Sequence, residues 1–113
     1  MSDSGRLDAF RSMLAAGQDG PLLRYSLGLE ALKAGEAAEA ADHLVECLNQ
    51  DPSYSAAYKA LARARYALAD EAGCRATLEL GMTTAGEQGD EQARKEMGVL
   101  VTRLDKGKPL ETG

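Results

Sequence analysis

Two cysteines and a single histidine are the residues of this chain best suited to redox or metal chemistry. Cys47 and Cys74 could form a disulfide or a redox pair, but they do not have Cys-x-x-Cys spacing. A buried cysteine otherwise behaves as a small hydrophobic residue. His43 has only Cys47 at helical ligand spacing, whereas zinc takes four protein ligands, or three in a catalytic site. We therefore predict structural roles for both cysteines, a partly exposed histidine, no metal site and no cofactor.

Acidic residues at helical spacing are the next candidates, because paired carboxylates can act as general acid and base. Glu39, Asp42 and Glu46 would share one side of a helix. Glycosidase-type catalysis needs a cleft around two carboxylates, and nothing in the sequence predicts one. The sequence also contains no Ser-His-Asp set, phosphate loop or nucleotide motif. These acids are therefore predicted to form a solvated face, and the chain is predicted not to be an enzyme.

Lys59 and Arg63 are one helical turn apart, so two cations would lie side by side in a chain whose net charge is −5. Like charges at this spacing repel, unless an anion lies between them. A guanidinium can bind a carboxylate through two hydrogen bonds, which would make Arg63 a receptor for an acidic group. The alternative is that both cations pair with internal carboxylates on a solvated surface.

An internal repeat defines the elements that would position these residues. Its period is 34 residues, and large apolar residues recur with small ones at the same offset. The matched pairs are Leu27 and Leu61, Gly28 and Ala62, Ala40 and Cys74, Leu44 and Leu78, and Leu48 and Met82.

With Pro52, this pattern resembles the tetratricopeptide repeat (TPR) family, in which helical hairpins of this length stack into a solenoid. Arg24 replaces the first aromatic residue of the family pattern, and Ala31 and Arg65 replace the tyrosine. Small bacterial TPR proteins are similar in layout, with a leading helix, two repeats and a closing helix. The resemblance implies an all-α fold, binding of a partner protein and no catalytic residues.

The repeat predicts one domain over residues 1–105 and six helices. It comprises a half repeat at 5–16, repeats at 21–54 and 55–89, and a closing helix at 90–105. Gly17, Gly35 and Gly86 are predicted to end helices, because glycine accepts the left-handed conformation of a C-cap. The tail 106–113 is predicted to be disordered. The predicted helices span residues 5–16, 21–34, 36–49, 54–69, 71–85 and 90–105.

In TPR proteins the first helix of each hairpin lines a concave groove, and the resemblance transfers that role to defined positions. Lys95 of the closing helix is expected close beside Lys59 and Arg63. The groove would accept a peptide or helix of a partner, through an acidic side chain or a C-terminal carboxylate. The predicted groove residues are Tyr25, Leu29, Leu32, Lys59, Arg63, Tyr66, Lys95 and Val99.

Two interpretations of function remain open. The first is an adaptor or co-chaperone-like scaffold that binds a partner in the groove. The alternative is a homodimer, in which two copies cover the face that the leading half repeat leaves open.

The composition of the chain limits the kinds of molecule that the protein is expected to bind and where in the cell it is expected to lie. The net charge of −5 argues against nucleic acid, which favours a basic face. No apolar run approaches the ~20 residues that cross a membrane. The start of the sequence also lacks the basic and apolar regions of a secretory signal. The expectation is a cytoplasmic protein with no role at membranes.

Overall fold

The computed structural model describes residues 4–111, which form six α-helices and contain no strand. This arrangement confirms the all-α prediction, and all the predicted helix boundaries lie within two residues of those observed. The helices are α1 (Ser4–Ala15), α2 (Pro21–Lys33), α3 (Ala37–Gln50), α4 (Ser55–Ala67), α5 (Glu71–Glu87) and α6 (Glu91–Asp105).

The helices stack in chain order, and each packs most closely on its neighbours in sequence. α2 pairs with α3 and α4 with α5, which gives the two predicted hairpins. The remaining contacts join α2 to α4 and α4 to α6. The first helices of successive hairpins and the closing helix therefore lie side by side in one layer, whereas α3 and α5 lie behind them.

Two clusters of buried side chains hold the stack together. The first lies among α1 to α4 around Leu27 and Leu44, and the second lies among α4 to α6 around Leu78 and Met97. Leu48 packs against both clusters and links them. The alanines at repeat positions, such as Ala40 and Ala62, are fully buried, because small side chains allow close approach of the helices.

Five of the six helices end with one hydrogen-bonding pattern, in which the residue after the cap has a positive φ. The exception is α3, whose C-cap is Asp51. Gly17, Gly35, Gly89 and Gly107 take this conformation, as the predicted C-caps at Gly17 and Gly35 require. The prediction for Gly86 was wrong, because α5 continues to Glu87 and Gly89 has the positive φ instead.

α4 ends in the same way, but with an alanine. Ala69 has φ 63°, its N–H donates to the carbonyl of Tyr66 at 2.9 Å, and the N–H of Asp70 donates to Arg65 at 2.9 Å. Ala69 follows Gly35 by one repeat period, so the glycine of the first repeat is replaced here by a residue with a Cβ. The left-handed conformation costs such a residue about 1–2 kcal/mol.

Ala69→Gly is therefore expected to stabilise the protein by about 0.5–1 kcal/mol, since relief of strain exceeds the entropy gained by the unfolded chain. Thermal unfolding followed by circular dichroism should show a melting temperature a few degrees higher. Ala67→Gly is the matched control, because Ala67 is the exposed last residue of α4. That variant should be less stable than wild type. A lower melting temperature for both variants would contradict the strain at Ala69.

The segment after α6 differs from the expected disordered tail. Leu110 is only 6% exposed and belongs to the second cluster. Arg103 donates from Nε and Nη2 to the carbonyl of Pro109, at 3.0 and 2.8 Å. Burial of a leucine stabilises by about 1.5–3 kcal/mol, enough to hold a short segment against the end of the stack. Residues 112–113 of the predicted tail lie outside the described range.

Candidate functional site

Both cysteines lie in the hydrophobic core, in separate clusters, as free thiols. Cys47 belongs to the first cluster and Cys74 to the second, and neither is accessible to solvent. Burial raises the pKa of both thiols, that of Cys47 to about 11. The thiolate needed for nucleophilic or metal chemistry is therefore disfavoured, in keeping with the structural role predicted from their positions in the repeat.

His43 is not partly exposed, as the sequence suggested, but 9% exposed and hydrogen-bonded on both ring nitrogens. Arg24 Nη1 lies 3.2 Å from Nδ1, and Glu39 Oε2 lies 3.1 Å from Nε2. Because arginine can only donate, Nδ1 is the acceptor and Nε2 donates to the carboxylate. Arg24 occupies the position of the family's first aromatic residue, so this departure from the pattern supplies one of the two hydrogen-bond partners of the buried histidine.

The acidic side chains of α3 do not all form a solvated face. Arg11 of α1 donates from Nε to Glu39 Oε2 at 3.0 Å and from Nη2 to Oε1. These hydrogen bonds, opposed by desolvation, lower the pKa of Glu39 to about 2. Asp42 is exposed, as predicted. Within residues 4–111, no three His, Cys, Asp or Glu side chains are grouped as metal ligands would be.

The concave surface holds a depression of about 240 Å³ between α2, α4 and α6. We call it the groove. Four of the eight predicted residues line it: Tyr25 and Leu29 from α2, and Lys59 and Arg63 from α4. The other lining residues are Ser55, Ala56, Ala60, Asp90, Ala93, Glu96 and Met97.

Lys59 is compensated inside the protein. Its Nζ lies 3.0 Å from Glu96 Oε1, and Gln92 donates to Oε2 of the same carboxylate at 3.2 Å. The hydrogen bond from Lys59 is the main cause that lowers the pKa of Glu96. For Lys59, the structure therefore agrees with the alternative in which the cation pairs with an internal carboxylate.

Arg63 differs from Lys59, although both line the groove. Its Nε is buried without a hydrogen-bond partner. Within residues 4–111, no carboxylate lies within 4.0 Å of its guanidinium, whereas Lys59 has Glu96. Its charge acts on Tyr25, whose pKa is raised by burial and partly lowered by Arg63. A cation with an unsatisfied donor thus lies beside an aromatic side chain on the concave surface.

The ring of Tyr25 is positioned by contact with a second aromatic side chain. Its ring packs on Tyr54 with centroids 5.0 Å apart and an interplanar angle of 37°. Tyr25, Leu29 and Tyr54 all pack against the first core cluster while remaining partly exposed. The apolar side of the groove is therefore continuous with the core.

The structure places the other four predicted residues elsewhere. Leu32 is 7% exposed and belongs to the first core cluster, and Tyr66 packs against the second. Lys95 and Val99 line a different concavity on α6, so the expected convergence of Lys95 with Lys59 and Arg63 does not occur. The equivalent positions on α2 and α4 face the next helix of their layer, but no further helix follows α6 in the described chain.

Two of the groove residues outside the predicted set are acidic, Asp90 and Glu96. Glu96 is adjacent in sequence to Lys95 and pairs with Lys59. Asp90 is the N-cap of α6, and its side chain accepts from the N–H of Ala93 at 3.1 Å. It also accepts from Ser55 Oγ at 3.2 Å. The sequence did contain one signal for Glu96: its carboxylate is one residue after Lys95, which the repeat alignment assigned to the groove.

No helix within the described residues is long and apolar enough to cross a membrane.

Comparison with known proteins identifies relatives of similar length, although no model of a protein family matches the chain. A curated Pseudomonas aeruginosa protein is 47% identical over 102 residues, which cover 90% of this chain and 97% of the relative. Its name describes it as a TPR repeat-containing protein. A Bordetella parapertussis protein with a solution structure superposes with a TM-score of 0.80 at 36% identity, covering 89% of this chain and 88% of that one. Together with the stacked hairpins, these relationships confirm the predicted resemblance, and the chain belongs to the tetratricopeptide repeat proteins.

Proposed function

We propose that this protein is an adaptor or co-chaperone-like scaffold that holds an acidic segment of a partner protein in the groove. A general role as a protein-interaction module agrees with its family, since the Pseudomonas aeruginosa relative is named for its TPR repeats. The segment would present a side-chain or C-terminal carboxylate to Arg63, and an apolar residue to Tyr25 and Leu29. A scaffold of this kind carries out no catalysis.

The unsatisfied Nε of Arg63 is the observation that carries this proposal. A buried polar group without a partner costs about 1–3 kcal/mol. The geometry of a guanidinium favours two parallel hydrogen bonds to a carboxylate. A turn of the Arg63 side chain that exposes Nε to the groove would let an entering carboxylate supply the missing acceptor. Binding would therefore remove an existing penalty as well as add a contact.

The remaining groove charges restrict the ligand. Lys59 already has Glu96, and Asp90 also lines the groove. A ligand with many negative charges would meet these two carboxylates, whereas a ligand with one or two near Arg63 would not. Tyr25 and Leu29 supply the adjacent apolar contact, which is typical of a binding hot spot.

Arg63→Met is expected to weaken partner binding at least tenfold, about 1.4 kcal/mol, because hydrogen bonds to charged groups contribute about 1.5–3 kcal/mol. Partners would first be captured from bacterial lysate with the wild-type protein and identified by mass spectrometry. Peptides from them, with free or amidated C-termini, would then be titrated by fluorescence anisotropy. Amidation should weaken binding if the terminal carboxylate is the group recognised.

The matched control is Arg94→Met, which removes a partly exposed arginine of α6 that pairs with Glu91 at 2.6 Å. It makes the same chemical change at a residue that does not line the groove. Circular dichroism would verify that both variants fold. If Arg63→Met and wild type bind the same peptides equally well, the groove proposal is wrong.

The homodimer alternative has less support. Leu7 of α1 is buried, and Phe10 and Leu14 pack on the first cluster. Met13, at 38%, is the only large apolar residue of α1 counted as exposed. Such a face is small for a stable dimer, which buries about 800 Å² on each partner. Sedimentation over a range of micromolar concentrations would detect the dimer.

A further inference from the structure

The outer face of α6 gathers cations in a chain that is acidic as a whole. A concavity of about 500 Å³ lies there, and four of its seven lining residues are basic. We call it the basic face. Its residues are Lys95, Gly98, Val99, Thr102, Arg103, Lys106 and Lys108.

The acids of α6 do not neutralise these cations, because each is paired with a different basic residue. Glu91 lies 2.6 Å from Arg94, Glu96 lies 3.0 Å from Lys59, and Asp105 lies 2.7 Å from Arg75 of α5. Within residues 4–111, none of the four cations of the basic face has a carboxylate within 4.0 Å. The basic face therefore carries positive charge that no direct ion pair neutralises, and only Lys95 is influenced by an acid of α6, Glu91, beyond that distance.

A purely structural explanation accounts for only part of this arrangement. The last repeat of a solenoid needs a polar outer face, and cations near the C-terminus of a helix are favoured by its dipole. The second reason applies to Arg103 and Lys106, but not to Lys95, which is the fifth residue of α6. A polar outer face could equally be formed by a mixture of acidic and basic side chains, which would repel one another less than four basic side chains do.

We propose that the basic face binds a short acidic segment of a partner protein that contains an apolar residue. Val99 is 60% exposed and lies between the cations, so the site offers one apolar contact within a positive field. Lys95 and Lys106 are separated by about 17 Å along the helix. An extended segment of about five residues covers that distance.

The observations favour a polypeptide over nucleic acid or an anionic membrane. Those ligands are extended polyanions, and the net charge of −5 would repel the parts that reach beyond the basic face. A short acidic segment stays within it. The basic face shares no lining residue with the groove, so this proposal does not depend on the function proposed for Arg63.

The test uses a fluorescein-labelled peptide of about eight residues, in which Asp and Glu flank a central Leu. A second peptide has Ser in place of Leu. In fluorescence anisotropy at low salt, wild type should bind the first peptide more tightly than the second. The variant Lys95→Gln/Lys106→Gln/Lys108→Gln should bind the first peptide about tenfold more weakly. Arg103 is retained because it donates to Pro109.

The control variant Ser12→Glu/Gln18→Glu/Ala38→Glu gives the same change in net charge at exposed positions of the other end. It should bind like wild type. In an Arg63→Met background, the same three glutamine substitutions should still weaken binding about tenfold, which separates this face from the groove. The proposal is overturned if the glutamine variant binds within twofold of wild type, or if the control weakens binding equally. It is also overturned if single-stranded DNA or phosphatidylserine vesicles bind the basic face while the peptide does not.

Discussion

Gly28→Leu is expected to unfold the first hairpin and to lower the free energy of unfolding by about 3 kcal/mol or more. A Cβ at Gly28 would lie 2.5 Å from Leu44 Cγ and 2.6 Å from Leu44 Cδ2. Leu44 is fully buried in the first cluster, so it has no free space to move into. Urea unfolding followed by far-ultraviolet circular dichroism would measure the loss.

Gly98→Ala is the matched control for this effect, because Gly98 is also inside a helix but a Cβ there meets only Met82 Cε at 3.5 Å. Alanine is favoured over glycine within helices by up to about 1 kcal/mol, so this variant should be as stable as wild type or more so. A double-mutant cycle of Gly28→Ala with Leu44→Ala should give less than the sum of the two losses. Additive losses would mean that these residues do not contact each other.

Gly81→Ala should destabilise the second hairpin by about 2–3 kcal/mol, although it adds a single methyl group. The added Cβ would lie 2.6 Å from Tyr58 Cβ and 2.6 Å from Met97 Sδ. Tyr58 Cβ is attached to the backbone of α4, and the hydroxyl of Tyr58 donates to the carbonyl of Pro52 at 2.7 Å. Relief of the contact therefore requires α4 and α5 to separate. The same urea titration would measure the effect.

For this variant the control lies on the same helix. Gly86 of α5 is exposed, and a Cβ there would meet only Arg94 Cδ at 3.5 Å. Gly86→Ala should therefore leave the midpoint unchanged or raise it. If Gly81→Ala behaved like Gly86→Ala, the close packing of α5 between α4 and α6 would be disproved.

These two glycines show what periodicity reveals about packing. Gly28 is visible in the sequence because it follows Leu27 in the repeated pair. Gly81 follows Cys47 by one repeat period, so the pattern assigns it only a small side chain. Its need for glycine arises because Tyr58 fills the place that Arg24 has in the first repeat. A larger side chain on one helix is thus offset by a smaller one on another helix. This kind of compensation leaves no periodic pattern in the sequence, so the repeat does not predict it.

The candidate site was predictable to a similar extent. Tyr25, Leu29, Lys59 and Arg63 come together in the groove because they occupy equivalent positions on successive first helices. The same alignment placed Lys95 and Val99 in the groove, but they line a different concavity. On α2 and α4 the equivalent positions face the next helix of the layer, whereas no further helix follows α6 in the described residues. Whether Lys59 or Arg63 forms an ion pair inside the protein depends on how the side chains around Glu96 are oriented. A repeat pattern contains no information about that orientation.

Each half of the helical stack contains one buried cysteine, whose reactivity can report the opening of that half. Cys47 lies only in the first cluster and Cys74 only in the second, both fully buried. A thiol reagent can therefore reach each sulfur only when the surrounding helices open. The labelling rates of the single-cysteine variants Cys74→Ala and Cys47→Ala would report how often each hairpin opens, and equal rates would show that the halves open together.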